Sequence, residues 1–337
     1  MIKKEVEKIL QYVQKPARYV GGELNSVVKN PDEVALRYAF CFPDTYEIGM
    51  SHLGMKILYG LVNARDDAWC ERVFAPDTDM EELMRKNNIP LFALESGDYI
   101  KDFDIIGFTL QYELSYTNVL NMLDLAGIKL FSKDRTELTP IICCGGPCAC
   151  NPEPIADFFD IVFLGDGEET TEQVLDLLKY CKKNGLSKHD FLLKAKDIRG
   201  IYVPSFYEPS YNNDGTLREL KPINGTPEKI KKAVVRNMDT CYYPDKFVVP
   251  FINIVHDRAV EEIFRGCIRG CRFCQAGFTY RPIREKSVET INKQSKALID
   301  STGYDELSLC SLSTSDHSCV NEMLTSLIDW TAKDNIN

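Results

Sequence analysis

Nothing in the sequence approaches the ~20 consecutive apolar residues that a membrane span requires. The opening stretch, MIKKEVEKILQYVQK, has no apolar core of a signal peptide. It reads instead as an amphipathic charged helix, and the expectation is a cytoplasmic protein with no membrane partner. Surplus positive charge is also missing: 40 Lys and Arg stand against 50 Asp and Glu, a formal net charge of −10. An acidic chain repels phosphate backbones, which argues against strong non-specific nucleic-acid binding and leaves only a local basic groove open. The sequence shows no internal repeat and no low-complexity tract.

What is present is ordinary for a globular chain: 337 residues, 44% hydrophobic and 27% charged. That length accommodates two domains of ~100–200 residues. There are 13 cysteines, an odd number in a chain too large to need disulfide staples. In a reducing compartment they are buried apolar residues, metal ligands or redox groups.

From residue 35 the pattern alternates strand and helix. LRYAFCFP, WCERVFAP, FDIIGFTL, PIICCGG and DIVFLGDG read as five buried strands. The intervening stretches carry apolar residues at helical spacing. Asp77 or Thr78 is the expected N-cap of one helix, and Gly127 closes another. Five strands with intervening helices predict an α/β fold with a Rossmann-like parallel sheet, ligands lying at the carboxyl ends of the strands. The stretch 200–255 contains prolines and an Asn-Asp-Gly turn signal and reads as a linker with a short hairpin. From His256 the rhythm resumes with two strand–helix units, the first helix capped by Ser287 and stopped by Gly303. The expected division is 1–34 extension, 35–199 Rossmann-like domain, 200–255 linker, and 256–337 the beginning of an incomplete TIM-type barrel.

The stretch IFRGCIRGCRFCQAGF, from Ile263 to Phe278, holds Cys267, Cys271 and Cys274 as C-x-x-x-C-x-x-C with no nearby fourth cysteine. Iron–sulfur clusters are held by thiolates, usually four, so three leave one iron open. A structural zinc site wants a closed set of four, which His256 or His317 would have to complete. The loop follows a strand, at the end where barrel enzymes place their chemistry.

With Phe273 before the last cysteine, this loop resembles that of the radical S-adenosylmethionine (SAM) superfamily. The resemblance implies that Cys267, Cys271 and Cys274 bind a 4Fe–4S cluster. It implies that the open iron chelates SAM, and that SAM is cleaved reductively to a 5′-deoxyadenosyl radical. The family's SAM-binding position after the second barrel strand reads SLSTSD here, making Ser313, Thr314 and Asp316 the matching residues. Arg265 and Arg269 are candidates to hold the SAM carboxylate or tune the cluster; Gln275 and Tyr280 are candidates for the adenine side. A flavodoxin- or ferredoxin-like electron donor is implied as partner.

The first domain resembles the cobalamin-binding domain preceding some radical SAM modules. Its Asp-x-His-x-x-Gly fingerprint is matched by Asp44, Tyr46 and Gly49, followed by Thr109 in FTLQ and by Gly145–Gly146. Tyr46 stands where the axial His would be, so bound cobalamin and a corrinoid-free version of the fold both stay open. His52 reads as structural or solvent-facing. Asp166, Glu168 and Glu169 read as helix-capping acids. Cys143 and Cys144 read as buried thiols, and Cys148 as the cysteine of that cluster facing the inter-domain cleft. As a whole the chain resembles an uncharacterised radical SAM family whose barrel continues further and whose partner domain is fused or encoded beside it. The expected function is radical SAM catalysis on an unknown substrate, with cobalamin-dependent methyl transfer as one form and RNA or protein modification as another. The contrasting readings are a zinc-stapled binding module and an iron–sulfur electron carrier.

Overall fold

A computed structural model describes residues 3–337. The N-terminal helix α1 (Lys4–Leu10) is shorter than the charged pattern predicts, and it docks through buried Val6 and Ile9. Beyond it the chain builds β1 (Leu36–Phe42), α2 (Tyr46–Met50), α3 (Leu53–Asn63), β2 (Ala68–Phe74) and α4 (Thr78–Asn87). Next come β3 (Ile105–Thr109), α5 (Tyr116–Leu125), β4 (Ile141–Gly145), β5 (Ile161–Phe163), α6 (Glu168–Lys183) and α7 (Lys188–Ala195). The strand order is β2-β1-β3-β4-β5-β6, where β6 is Ile201–Tyr202. The first five strands are parallel, as the near-continuous apolar runs predict for strands buried on both faces. The sixth is a correction: Ile201–Tyr202, assigned to the linker from sequence, pairs antiparallel with β5. Two residues are too few to carry a periodicity.

The centre of this sheet is dry. Ile105, Ile106, Phe108, Ile141 and Ile142 are all but fully buried, and each such side chain stabilises the fold by ~1.5–3 kcal/mol. Strand β2 also buries two adjacent charges. Arg72 lies between Glu23 and Glu95, at 2.8 and 2.6 Å. Glu71 points the other way, to Arg37 at 2.5 Å. Buried ions persist when paired and hydrogen-bonded, and both are.

After β6 the hairpin is present as β7 (Tyr207–Tyr211) and β8 (Leu217–Pro222). Residues 223–258 then run without a helix or strand. Isolated bridges tie Gly165 to Ala233 and Leu24 to Val249. Strand β9 (Ala259–Glu262) pairs parallel with β12 (Leu307–Cys310), with α9 (Val288–Thr302) between them and α10 (Val320–Asp334) after. Ser287 accepts the Thr290 N–H and Gly303 closes α9 at φ +73°, both as expected. The predicted strand AVEEIFRG is divided at Ile263: β10 (Phe264–Arg265) leaves β9 and pairs antiparallel with β11 (Arg284–Glu285). The cysteine loop, with the short helix α8 (Ala276–Thr279), lies between β10 and β11.

Candidate functional site

The carboxyl ends of β1, β3, β4 and β5 open into a cavity of about 780 Å³. Its opposite wall comes from β9 and β12, through Val260, Glu262, Ser308 and Cys310 among others. The cavity therefore lies where the parallel sheet predicts a ligand. Tyr280 and Gly266, at the two ends of the cysteine loop, also line it.

Three residues of the corrinoid-type fingerprint reach this cavity and three do not. Thr109, Gly145 and Gly146 line it. Gly146 adopts φ +98°, and a Cβ there would lie 2.7 Å from the Leu110 carbonyl oxygen, so only glycine fits. Thr109 accepts a hydrogen bond from Gln111 Nε2 at 2.6 Å. Tyr46, by contrast, is 2% exposed and outside the cavity lining. Its hydroxyl donates to Glu23 Oε1 at 2.9 Å, and its ring packs edge-on against Phe74. Asp44 accepts from the Tyr112 hydroxyl at 2.8 Å and from the Thr45 N–H at 2.7 Å. Gly49 is pressed by Phe74, whose ring would lie 2.3 Å from an added Cβ. The segment following β1 turns into α2 and directs these three residues into packing contacts.

His52 is at the cavity instead, six residues later. It is the N-cap of α3: Nδ1 accepts the Met55 N–H at 3.0 Å, so the neutral ring carries its proton on Nε2. Burial pushes its pKa down to about 4, against partial support from Gln111. His52 thus lines the cavity as a neutral ring beside Gln111.

In the cysteine loop Cys267 and Cys274 are half-buried and Cys271 is exposed; all are free thiols. The Arg269 N–H points at Cys267 Sγ at 3.5 Å, and Cys274 N–H bonds the Cys271 carbonyl at 3.0 Å. Among the described residues no three His, Cys, Asp or Glu side chains are drawn together closely enough to hold a metal ion. The donor set itself suits iron–sulfur chemistry or zinc: three uncrosslinked thiols in one short, solvent-reaching loop. Phe273 is 94% exposed on that loop.

The arginines are committed. Arg269 forms a two-pronged pair with Asp316, Nε to Oδ2 at 2.6 Å, and Ser313 Oγ donates to the same carboxylate at 2.7 Å. Thr314 bonds Ser311 at 2.9 Å. Arg269, Ser313 and Asp316 thus meet one another, fastening the cysteine loop to the end of β12. Arg265 lines the cavity, but its guanidinium is taken by three carboxylates: Glu262 at 2.9 Å, Glu168 at 2.6 Å and Asp166 at 3.3 Å. Burial disfavours its charge, and the Glu262 and Glu168 carboxylates outweigh burial and hold it protonated. In this arrangement Arg265 has no free face for a SAM carboxylate.

The acids of GDGEE play a different part from capping. No side chain caps α6, whose N-cap residue is Gly167. Asp166 and Glu168 instead pair across the cavity wall with Arg265, and Asp166 also with Arg284. Glu169 is the exposed acid of the first turn. Of the clustered cysteines, Cys143 and Cys144 are buried as expected, and it is Cys150 that lines the cavity; Cys148 does not. Tyr280 lines it and Gln275 does not. Sequence reasoning missed Lys232, a half-buried lining residue whose ammonium donates to the Thr279 carbonyl at 2.6 Å. It lies in the stretch without regular elements, where no periodicity marks it.

Residues 54–204 match the family model described as radical SAM proteins, N-terminal. An uncharacterised protein of Methanocaldococcus jannaschii, MJ0966, is 24% identical over 294 residues, 86% of this chain and 52% of its own length. The chain thus spans about half the length of that relative. Among solved structures, the radical SAM methyltransferase TsrM from Kitasatospora setae with tryptophan substrate and a SAM analogue superposes with a TM-score of 0.55 at 10% identity, covering 88% of this chain and 52% of that one. The same enzyme with cobalamin and a [4Fe-4S] cluster gives 0.54 at 9% identity, covering 88% and 53%. At such identities the likeness speaks for the fold, a mixed α/β chain built on a mostly parallel sheet. No helix among the described residues is long and apolar enough to cross a membrane. Across residues 54–204 the chain is thus similar to the N-terminal region of radical SAM proteins.

Proposed function

We propose that the protein is a radical SAM enzyme whose ligand occupies the cavity between the parallel sheet and the β9–β12 pair, with methyl transfer assisted by cobalamin as its reaction class. The observation that carries this reading is the shared cavity, about 780 Å³, lined on one side by Thr109, Gly145 and Gly146 and on the other by Tyr280 and Gly266 of the cysteine loop. Cys267, Cys271 and Cys274 would hold the cluster. Such a cluster, when bound, supplies the electron that cleaves SAM.

The chain's own residues account for binding and enclosure. Gly145 and Gly146 present bare backbone, which admits a flat macrocycle or a ligand ring closely. His52 lines the cavity and stays neutral near pH 7. Tyr46 lies outside the cavity lining and His52 Nδ1 is taken by the Met55 N–H, so a corrinoid here would be held by shape and hydrogen bonds. The Arg269–Asp316 pair braces the cysteine loop against the end of β12.

The test uses full-length protein purified without oxygen and reconstituted with iron and sulfide. Electron paramagnetic resonance is recorded after reduction, with and without SAM, beside a visible spectrum for corrinoid. The expected outcome is a cubane signal that changes on adding SAM and is lost in Cys267→Ala. Stoichiometric zinc without sulfide would replace this reading with that of a metal-stapled binding module.

A further inference from the structure

The neck of the cysteine loop contains an electrostatic conflict. Arg265 on β10 and Arg284 on β11 stand directly opposite each other in the antiparallel register. Their side chains are only 12% and 6% exposed. Like charges directly opposite across two strands repel, and burial makes the repulsion worse. These two residues bracket the segment that holds all three cysteines.

The conflict is resolved from outside the hairpin. Asp166, in the turn after β5, reaches both guanidiniums: Oδ1 lies 3.3 Å from Arg265 Nη1, and Oδ2 accepts from Arg284 Nη1. Arg265 has further carboxylates in Glu262 and Glu168. Arg284 otherwise donates only to the carbonyls of Pro282, Val235 and Tyr280, so Asp166 is its one carboxylate among the described residues. Asp166 is itself fixed in place. Its N–H bonds the Ala233 carbonyl at 3.1 Å, and Oδ2 accepts the Val235 N–H at 2.7 Å. Gly165 has φ +101°, and a Cβ there would lie 2.1 Å from the Ala233 carbonyl oxygen, so this turn admits glycine alone.

We infer that Asp166 is a positioning residue for the cysteine loop: its carboxylate, set between Arg265 and Arg284, holds the loop's two ends together. The loop's capacity to keep a metal centre then depends on the six-stranded sheet. That consequence rests on the cluster reading above; the closure of the neck does not.

The experiment compares full-length wild type, Asp166→Asn and the double variant Asp166→Asn/Arg284→Gln. Hydrogen exchange of residues 266–283 is read without metal, and iron loss to a chelator after reconstitution. Asp166→Asn is expected to raise exchange in the loop, and the rate of iron loss, about tenfold, with β1 to β5 unchanged. The double variant removes one of the opposed charges and is expected to recover most of both. Wild-type exchange in Asp166→Asn, or a double variant no better than the single, would overturn the inference. If Asp166→Asn does not fold, the double variant decides alone: it must fold and protect the loop. A wild type that takes up no iron while the exchange pattern holds would support the neck and remove the cluster reading.

Discussion

Tyr46 stands where the cobalamin-domain fingerprint that the sequence resembles has a histidine, and its hydroxyl is spent inside the protein on Glu23. Replacing it with Phe isolates that bond, because the ring and its contact with Phe74 are kept. A hydrogen bond to a charged acceptor is worth ~1.5–3 kcal/mol. The lower end applies here, because Glu23 Oε1 also accepts from Arg72 Nη1 at 3.0 Å and is not orphaned. With a urea dependence of about 2–3 kcal/mol per molar, a loss of about 1.5 kcal/mol moves the midpoint of sheet unfolding down by roughly 0.5–0.75 M. The assay is urea unfolding followed by far-ultraviolet circular dichroism, with corrinoid uptake measured in parallel. Uptake should equal that of wild type, since Tyr46 does not line the cavity. Tyr46→His should likewise add no nitrogen coupling to a cobalt signal. A Tyr46→Phe protein with unchanged stability and abolished corrinoid uptake would refute the argument and return Tyr46 to the site.

Two further substitutions probe the cavity wall. His52 has its pKa lowered to about 4 from 6.5, so the folded state disfavours its protonation. Its contribution to stability is fully present above pH 6.5 and is lost as pH falls towards 4; discounted for exposure to the cavity, the loss is about 2 kcal/mol. His52→Asn keeps a good N-cap without a titrating ring, and denaturant unfolding at several pH values should show a flatter profile over that window. An identical profile would show that His52 does not set the acid sensitivity. Gly146→Ala forces a side chain into φ +98° and against the Leu110 carbonyl, a cost of about 1–3 kcal/mol. It should lower the melting temperature and weaken ligand binding together; a variant that melts and binds like wild type would remove Gly146 from the site.

What was legible in the sequence was whatever local periodicity encodes. Strands such as IIGFT and IICCG are apolar on both faces because the sheet is covered on both, and that pattern is visible without any partner. Ser287 and Gly303 mark the ends of α9 by the chemistry of orphan N–H and C=O groups within a few residues. The three-cysteine spacing places three thiols in one loop wherever that loop lies. Gly145–Gly146 stood out through the fingerprint resemblance, and both line the cavity. Two-residue strands fall below this limit, which is why β6 and the division of β9 from β10 were missed.

Side-chain partners obey a different rule. Asp166 and Glu168 open a helix, and acids there ordinarily satisfy the helix N-terminus; local chemistry therefore predicts a cap. Their actual partners, Arg265 and Arg284, lie 97 to 118 residues further on and meet them only because the β10–β11 pair and the end of β5 line the same cavity. The same holds for Tyr46, whose alignment with a fingerprint gives its place along the chain. Its direction is set by a helical turn and by Glu23, a residue 23 positions earlier. A motif of spacing specifies which atoms arrive near a site, and the closing contact is made by whichever buried charge the tertiary fold brings opposite. Arg265 illustrates the consequence: beside three cysteines it reads as a ligand-binding cation, while in the fold three carboxylates reach it first. The cation that reaches the cavity without a carboxylate partner among the described residues is Lys232, from a stretch with no motif.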